Sequence, residues 1–155
     1  MKMPATKEDK KVENDRRLKV YNRIVADANL AKLVLTKVDY QVHHDVANSG
    51  REPTLNYKGE LVEFDHNKEI GAIMAGVKWT ADVRCGRKKA VHFVANYVVI
   101  YEGFTTEETE LLERFADNVA RPATYSYFRA LFANLDWASD LRTTPLPVVK
   151  FFPKI

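Results

Sequence analysis

A single cysteine, Cys85, in 155 residues excludes an internal disulfide framework and fits a reducing compartment. Long apolar runs are missing as well. The longest, residues 97–101, falls far short of the ~20 residues that a membrane-spanning helix needs. The first seventeen residues are charged and no apolar stretch follows them, so no secretory signal is expected and the cytoplasm is the expected compartment. Glycine and proline number six each and gather into no linker, and neither a repeat nor a low-complexity tract divides the chain. Catalytic signatures are absent too: there is no G-x-S-x-G, no G-x-x-x-x-G-K-[ST] and no G-x-G-x-x-G. His43-His44-Asp45 is the one run with metal-ligand residue types. Adjacent strand residues point to opposite faces, His66 and His92 stand alone, and a zinc site needs three or four convergent ligands. Neither an enzyme nor a metal or other cofactor is expected.

What is present suits one globular domain over residues 1–155, with a leading helix and frayed terminus over 1–29. Hydrophobic residues make up 46% and charged residues 29%, ordinary values for a soluble protein. The net charge of +3 gathers in two places. Lys7, Lys10, Lys11, Arg16, Arg17 and Lys19 alternate with Glu8, Asp9, Glu13 and Asp15, as on a solvated helix. Arg84, Arg87, Lys88 and Lys89 surround Gly86 and read as an exposed hairpin tip, with nucleic-acid binding as the lesser reading.

Apolar spacing predicts the elements. Val12, Leu18, Tyr21, Ile24, Val25 and Ala28 lie mostly on one helical face, with Asn29 as the stop. Leu33 and Leu35 then alternate, and Val38, Tyr40 and Val42 alternate in the opposite parity, which predicts a bulge near Thr36-Lys37. Residues 47–58 contain Asn48-Ser49-Gly50 and Pro53 and are expected to be loop. Residues 61–66 form a weak strand. Ile73, Ala75, Val77, Trp79, Ala81 and Val83 form one face of a long strand, turned at residues 85–89 into a second strand carrying Val91, Phe93, Ala95, Tyr97, Val99 and Tyr101.

That second strand is apolar on both faces from Val94 to Ile100, with Asn96 the exception. An antiparallel strand with one wet face should alternate. Helices are therefore expected on one side, and a partner subunit on Val94, Val98 and Ile100 on the other. Thr105 or Thr106 is a good N-cap before Glu107, Glu108 and Glu110. Leu111, Leu112, Phe115 and Val119 mark the helix that follows. Arg121-Pro122 is expected to break it and open a second helix carrying Tyr125, Phe128, Leu131, Phe132 and Leu135. Residues 142–155, with three prolines, should run extended.

This order, together with a few short motifs, resembles the SecB family of export chaperones. Leu30-Ala31-Lys32-Leu33-Val34-Leu35-Thr36-Lys37-Val38 is similar to the family's first strand, and Tyr101-Glu102-Gly103-Phe104 to its exit from the last strand. Arg121-Pro122 before Tyr125-Ser126-Tyr127-Phe128 resembles the proline ahead of the long helix. Leu141 with Thr144-Pro145-Leu146-Pro147-Val148 resembles the closing segment. The resemblance covers residues 30–151. It implies an α+β fold with a twisted antiparallel sheet of about four strands followed by C-terminal helices, and a homotetramer that holds unfolded polypeptides without ATP. Export members are generally acidic and meet the SecA motor through acidic surface and a polar tail. This basic chain ends at Lys154-Ile155, which counts against SecA. Some relatives instead serve as chaperones of the antitoxin in a toxin–antitoxin pair.

Such a protein needs exposed apolar surface that accepts varied extended segments. If the resemblance holds, the groove lies between the sheet and the second helix with its tail. The candidates are Tyr125, Phe128, Phe132, Trp137, Leu146, Val148, Phe151 and Phe152, with Met74, Trp79 and Tyr97 towards its floor. Met74 and Trp79 differ in parity, so only one belongs there unless a bulge intervenes. Ordinary core is the competing reading for all of them. Behind a chaperone or peptide-binding module rank a small-ligand receptor or enzyme with a pocket between sheet and helix, and then a nucleic-acid-binding module.

Overall fold

The computed structural model of the chain describes residues 7–149. Helix α1 (Lys7–Asp27) leads directly into strand β1 (Asn29–Val42), and the one-turn helix α2 (His44–Ala47) follows. Strands β2 (Pro53–Asn67), β3 (Ala72–Cys85) and β4 (Lys88–Glu102) come next. The chain closes with α3 (Thr109–Phe115), a π turn (Ala116–Ala120) and α4 (Arg121–Ala138). The strands form one antiparallel sheet in the order β1-β4-β3-β2. This is the α+β sheet with N- and C-terminal helices that the sequence predicted.

The strong alternation in β3 and β4 produces a regular pairing. Ile73, Ala75, Val77, Trp79, Ala81 and Val83 are buried on the helix side, as are Val91, Phe93, Ala95, Tyr97, Val99 and Tyr101. The hairpin turns through Gly86, whose φ of 65° lies in the left-handed region that glycine enters without penalty. Cys85, at the base of that tip, is buried. The bulge expected near Thr36 is present as a register shift between Leu35 and Lys37.

Three expectations need correction. Residues 53–58 are strand, because β2 starts at Pro53 on the sheet's edge, where a missing N–H breaks no ladder. The helix after β4 starts at Thr109, later than Thr105 or Thr106 suggested. Thr106 instead accepts the Glu108 N–H on its Oγ1 (3.2 Å) in the preceding turn. Arg121-Pro122 does not interrupt the helix. Proline cannot donate to the carbonyl four residues back, that of Asn118, and its ring crowds it. The wider π turn at Ala116–Ala120 carries the chain across this point, and Ala120 and Arg121 keep right-handed helical angles.

Two apolar centres lie between sheet and helices. The first joins Trp79, Phe93, Tyr125, Phe128, Phe132 and Leu146. Phe93 and Phe128 stack with ring centroids 4.9 Å apart, and Trp79 stacks on Phe128 at 5.6 Å. The second joins Ile73, Val99, Tyr101, Phe104, Leu111 and Phe115 to Tyr21 and Ile24 of α1. Two ion pairs, Arg16 to Glu108 (2.6 Å) and Arg17 to Glu110 (2.7 Å), add to this docking of α1. Both are exposed, so apolar burial contributes the greater part.

Trp79 fixes α4 to the sheet. Its Nε1 donates to Thr124 Oγ1 (2.7 Å), and that hydroxyl donates to the Arg121 carbonyl (2.7 Å). The indole lies over Gly59 of β2, where an added methyl would sit 2.5 Å from the ring. Gly59→Ala is therefore expected to lower the unfolding free energy by about 1–3 kcal/mol. Urea unfolding measures this, and an unchanged midpoint would show that the indole does not depend on that space.

Candidate functional site

The helix side of the sheet is covered unevenly. Helix α4 lies over β2, β3 and β4 and leaves the middle of β1 bare. Leu35 and Val38 face the helix side, opposite Tyr97 and Ala95, yet they are 41% and 43% exposed. Strand β1 is also an edge of the sheet, so its outer row of N–H and C=O groups has no strand partner among the described residues. An apolar strip thus lies beside an unpaired strand edge, the combination that accepts an added extended segment.

The tail after α4 occupies a seat on the same side. Asp140 and Arg142 adopt left-handed angles (φ 52° and 51°) that turn the chain back along the helix. The Asp136 carboxylate secures the turn by accepting the Thr143 N–H (3.1 Å). Tyr125 then donates its hydroxyl to the Pro147 carbonyl (2.7 Å), and Arg129 Nε donates to the Leu146 carbonyl (2.7 Å). The Leu146 side chain is buried in the first apolar centre. Burial pushes the Tyr125 hydroxyl up to about 12. The seat recognises a chain through two side-chain bonds to backbone carbonyls and one apolar anchor.

The groove residues named from sequence are divided by the structure. Trp79, Tyr97, Tyr125, Phe128, Phe132 and Leu146 are all buried, which leaves them no surface to offer while the tail is seated. Trp137 and Val148 are exposed, at 81% and 78%. Strand β3 carries no extra residue between Met74 and Trp79, the shift in its pairing with β2 falling at Val62 of β2, so they face opposite sides and Met74 is no part of the groove floor. Phe151 and Phe152 lie outside the described residues. Leu35 and Val38 were assigned to a strand and not to the site. The parity switch at Thr36 revealed their strand, but their exposure depends on where α4 lies.

Among the described residues, the other face of the sheet carries no helix. Val94, Val98 and Ile100 are there with Met74, all half-buried by their neighbours. The strand pairings order this face into rows. Lys32, Ile100, Met74 and Asp65 form one, and Val34, Val98, Gly76 and Glu63 the next. Lys37, Asn96, Lys78 and Glu60 follow, then Asp39, Val94, Thr80 and Lys58, then Gln41, His92, Asp82 and Asn56. In the last row Asp82 accepts from His92 Nδ1 (2.6 Å) and pairs with Lys89 Nζ (3.1 Å). Burial works to raise the Asp82 carboxyl, but the hydrogen bonds and charges of His92 and Lys89 outweigh it and hold the group below its usual value.

No family model and no curated protein matches the sequence. Among solved structures, the chain is similar to the SecB-like chaperone Rv1957 of Mycobacterium tuberculosis, solved in complex with a ChAD peptide from the Rv1956 HigA1 antitoxin. The TM-score is 0.73 at 18% identity, over 85% of this chain and 97% of that one. A protein of unknown function from Streptococcus agalactiae is far less alike, with a TM-score of 0.37 at 11% identity. The chain is therefore an α+β protein with the SecB-like fold, as the sequence resemblance implied.

The Asp82 cluster sets an acid limit on stability. A carboxylate held low in the folded state stabilises above its unfolded value of 3.8, and that contribution is lost as pH falls through the folded value. Asp82→Asn is expected to lower stability at neutral pH and to flatten the loss seen in the wild type below about pH 4. Urea midpoints between pH 3 and 7 test this. Parallel curves for the two proteins would remove the cluster from the acid response.

Proposed function

We propose that this chain is an ATP-independent, non-catalytic chaperone that holds extended polypeptide segments. On this reading the whole chain is one SecB-like domain, works in the cytoplasm as a homo-oligomer, and needs no cofactor. The observation that carries the reading is the bare apolar strip at Leu35 and Val38 beside the unpaired edge of β1. An extended client can pair its backbone with such an edge and place alternate side chains on the strip. Backbone pairing is indifferent to sequence, which suits a protein whose clients vary.

The tail's seat supports the reading from a second direction. Tyr125 and Arg129 bind carbonyls, which every polypeptide has, and the aromatic centre takes one apolar side chain. A client able to displace the tail would find Tyr125, Phe128, Phe132 and Trp79 beneath it. The antitoxin peptide in the Mycobacterium tuberculosis complex supports an antitoxin segment as the client class, ahead of an exported preprotein.

The test is light scattering during dilution of an unfolded, reduced protein, with client affinity measured in parallel. The wild type is expected to suppress aggregation. The double variant Leu35→Asp/Val38→Asp should bind the client about tenfold more weakly or worse, since two apolar contacts are lost. Its circular dichroism should be unchanged, because both side chains are exposed already. A wild type that ignores the client, or a variant that holds it equally well, would overturn the reading.

A further inference from the structure

Strand β1 offers an incoming strand more than an apolar strip. Its residues of the other parity lie on the helix-free face. In order they are Lys32, Val34, Lys37, Asp39 and Gln41, in rows with Ile100, Val98, Asn96, Val94 and His92 of β4. The bulge at Thr36 is absorbed between Val34 and Lys37, so the rows follow one another evenly, about 7 Å apart.

The three charges have no counter-ion on the sheet. Their row neighbours on β4, Ile100, Asn96 and Val94, are uncharged. Among the described residues Lys32 and Lys37 make no ion pair, and Asp39 accepts a hydrogen bond from Gln41 Nε2 (3.3 Å) and no more. The opposite edge differs. On β2, Lys58 and Glu60 pair with each other (2.5 Å), and Glu63 and Asp65 follow them on the same strand. At ~4.8 Å per strand these groups are about 14 Å from β1, beyond the ~8 Å screening length of physiological salt. Asp82 and Lys89 belong to the His92 cluster, and Lys78 of β3 is separated from Lys37 by Asn96.

We propose that the order of charges on β1 selects the extended client. The segment it fits is antiparallel to β1, with apolar residues at alternate positions and, between them, a base opposite Asp39 and acids opposite Lys37 and Lys32. This rests on the edge-pairing reading of the function and adds to it the sequence class of the client. An added strand sets one residue in each row beside the β1 side chain, where opposite charges attract and like charges repel. Antiparallel pairing continues the sheet and is the more stable ladder. A slip of two residues one way sets the base against Lys37, and the other way sets an acid against Asp39. The charges therefore fix the register, which backbone pairing alone leaves open, and turn away strands of the wrong order.

The test is fluorescence anisotropy of two dilute, labelled peptides with the full chain. The matched peptide is Gln-Leu-Lys-Leu-Glu-Leu-Val-Leu-Glu. The exchanged peptide, Gln-Leu-Glu-Leu-Lys-Leu-Val-Leu-Glu, has the same composition. The wild type should bind the matched peptide about tenfold more tightly, because the exchange turns two opposite-charge contacts into like-charge ones. Added salt should shrink the difference. Lys37→Asp/Asp39→Lys keeps the net charge and should reverse the preference, with circular dichroism unchanged. General attraction between protein and peptide cannot produce that reversal. Equal affinity for the two peptides, or a preference that the double variant keeps, would overturn the proposal. If Leu35→Asp/Val38→Asp then still weakens both peptides, the edge-pairing reading stands without it. A wild type that binds neither peptide would overturn the two together. Self-assembly of the free chain that Lys37→Asp/Asp39→Lys abolishes would give the edge to a second copy, and would overturn the client's claim to it.

Discussion

The seating of one indole ring decides how the two layers meet. Trp79 fills the space above Gly59, stacks on Phe128, and gives its N–H to Thr124. Thr124 is on the first turn of α4, immediately past the π turn, so the bond fixes the point where the long helix lands on the sheet. A buried indole N–H without an acceptor is costly, and this position supplies one only when α4 crosses over β3. The direction of α4, the burial of the aromatic centre and the bare middle of β1 all follow from that landing point.

The helix that crosses the sheet cannot cover all four strands. By lying over β2, β3 and β4 it closes the aromatic centre and leaves β1 to α1 at one end and to solvent in its middle. Placed on the second apolar centre through Tyr21 and Ile24, α1 covers the end of the sheet near Tyr101. The sheet therefore has two surfaces of different character. One is a narrow strip beside an open strand edge, suited to a chain in extended form. The other is a broad array of ordered rows with no helix over it among the described residues.

Much of this architecture was legible in the sequence. Strict alternation in residues 73–101 marked the long hairpin, and the parity switch at Thr36 marked the bulge. The second apolar face of β4 was visible through Val94, Val98 and Ile100. What was hidden depends on neighbours distant in sequence. Pro53 and the turn-forming residues before it looked like loop, because an edge position that excuses a proline cannot be read locally. Pro122 looked like a helix break, because a π turn is visible only in the backbone. The aromatic residues of α4 were recognised as a group, but whether a Phe in that group faces a groove or a core depends on the tail, and Leu146 closes it.

The strand order has a consequence for a chain made from its N-terminus. Among the described residues strand β1 pairs only with β4, and Thr36 Oγ1 reaches the Asn96 carbonyl across 60 residues. During synthesis the leucines and valines of β1 leave the ribosome well before their partner exists, and β2 and β3 emerge without being able to pair with it. An unpaired apolar strand in that interval is an aggregation hazard. Lys32, Lys37 and Asp39 interrupt its apolar residues and act as gatekeepers against premature pairing. The same edge that suits an extended partner in the finished protein is thus the segment most in need of protection while the protein is being made.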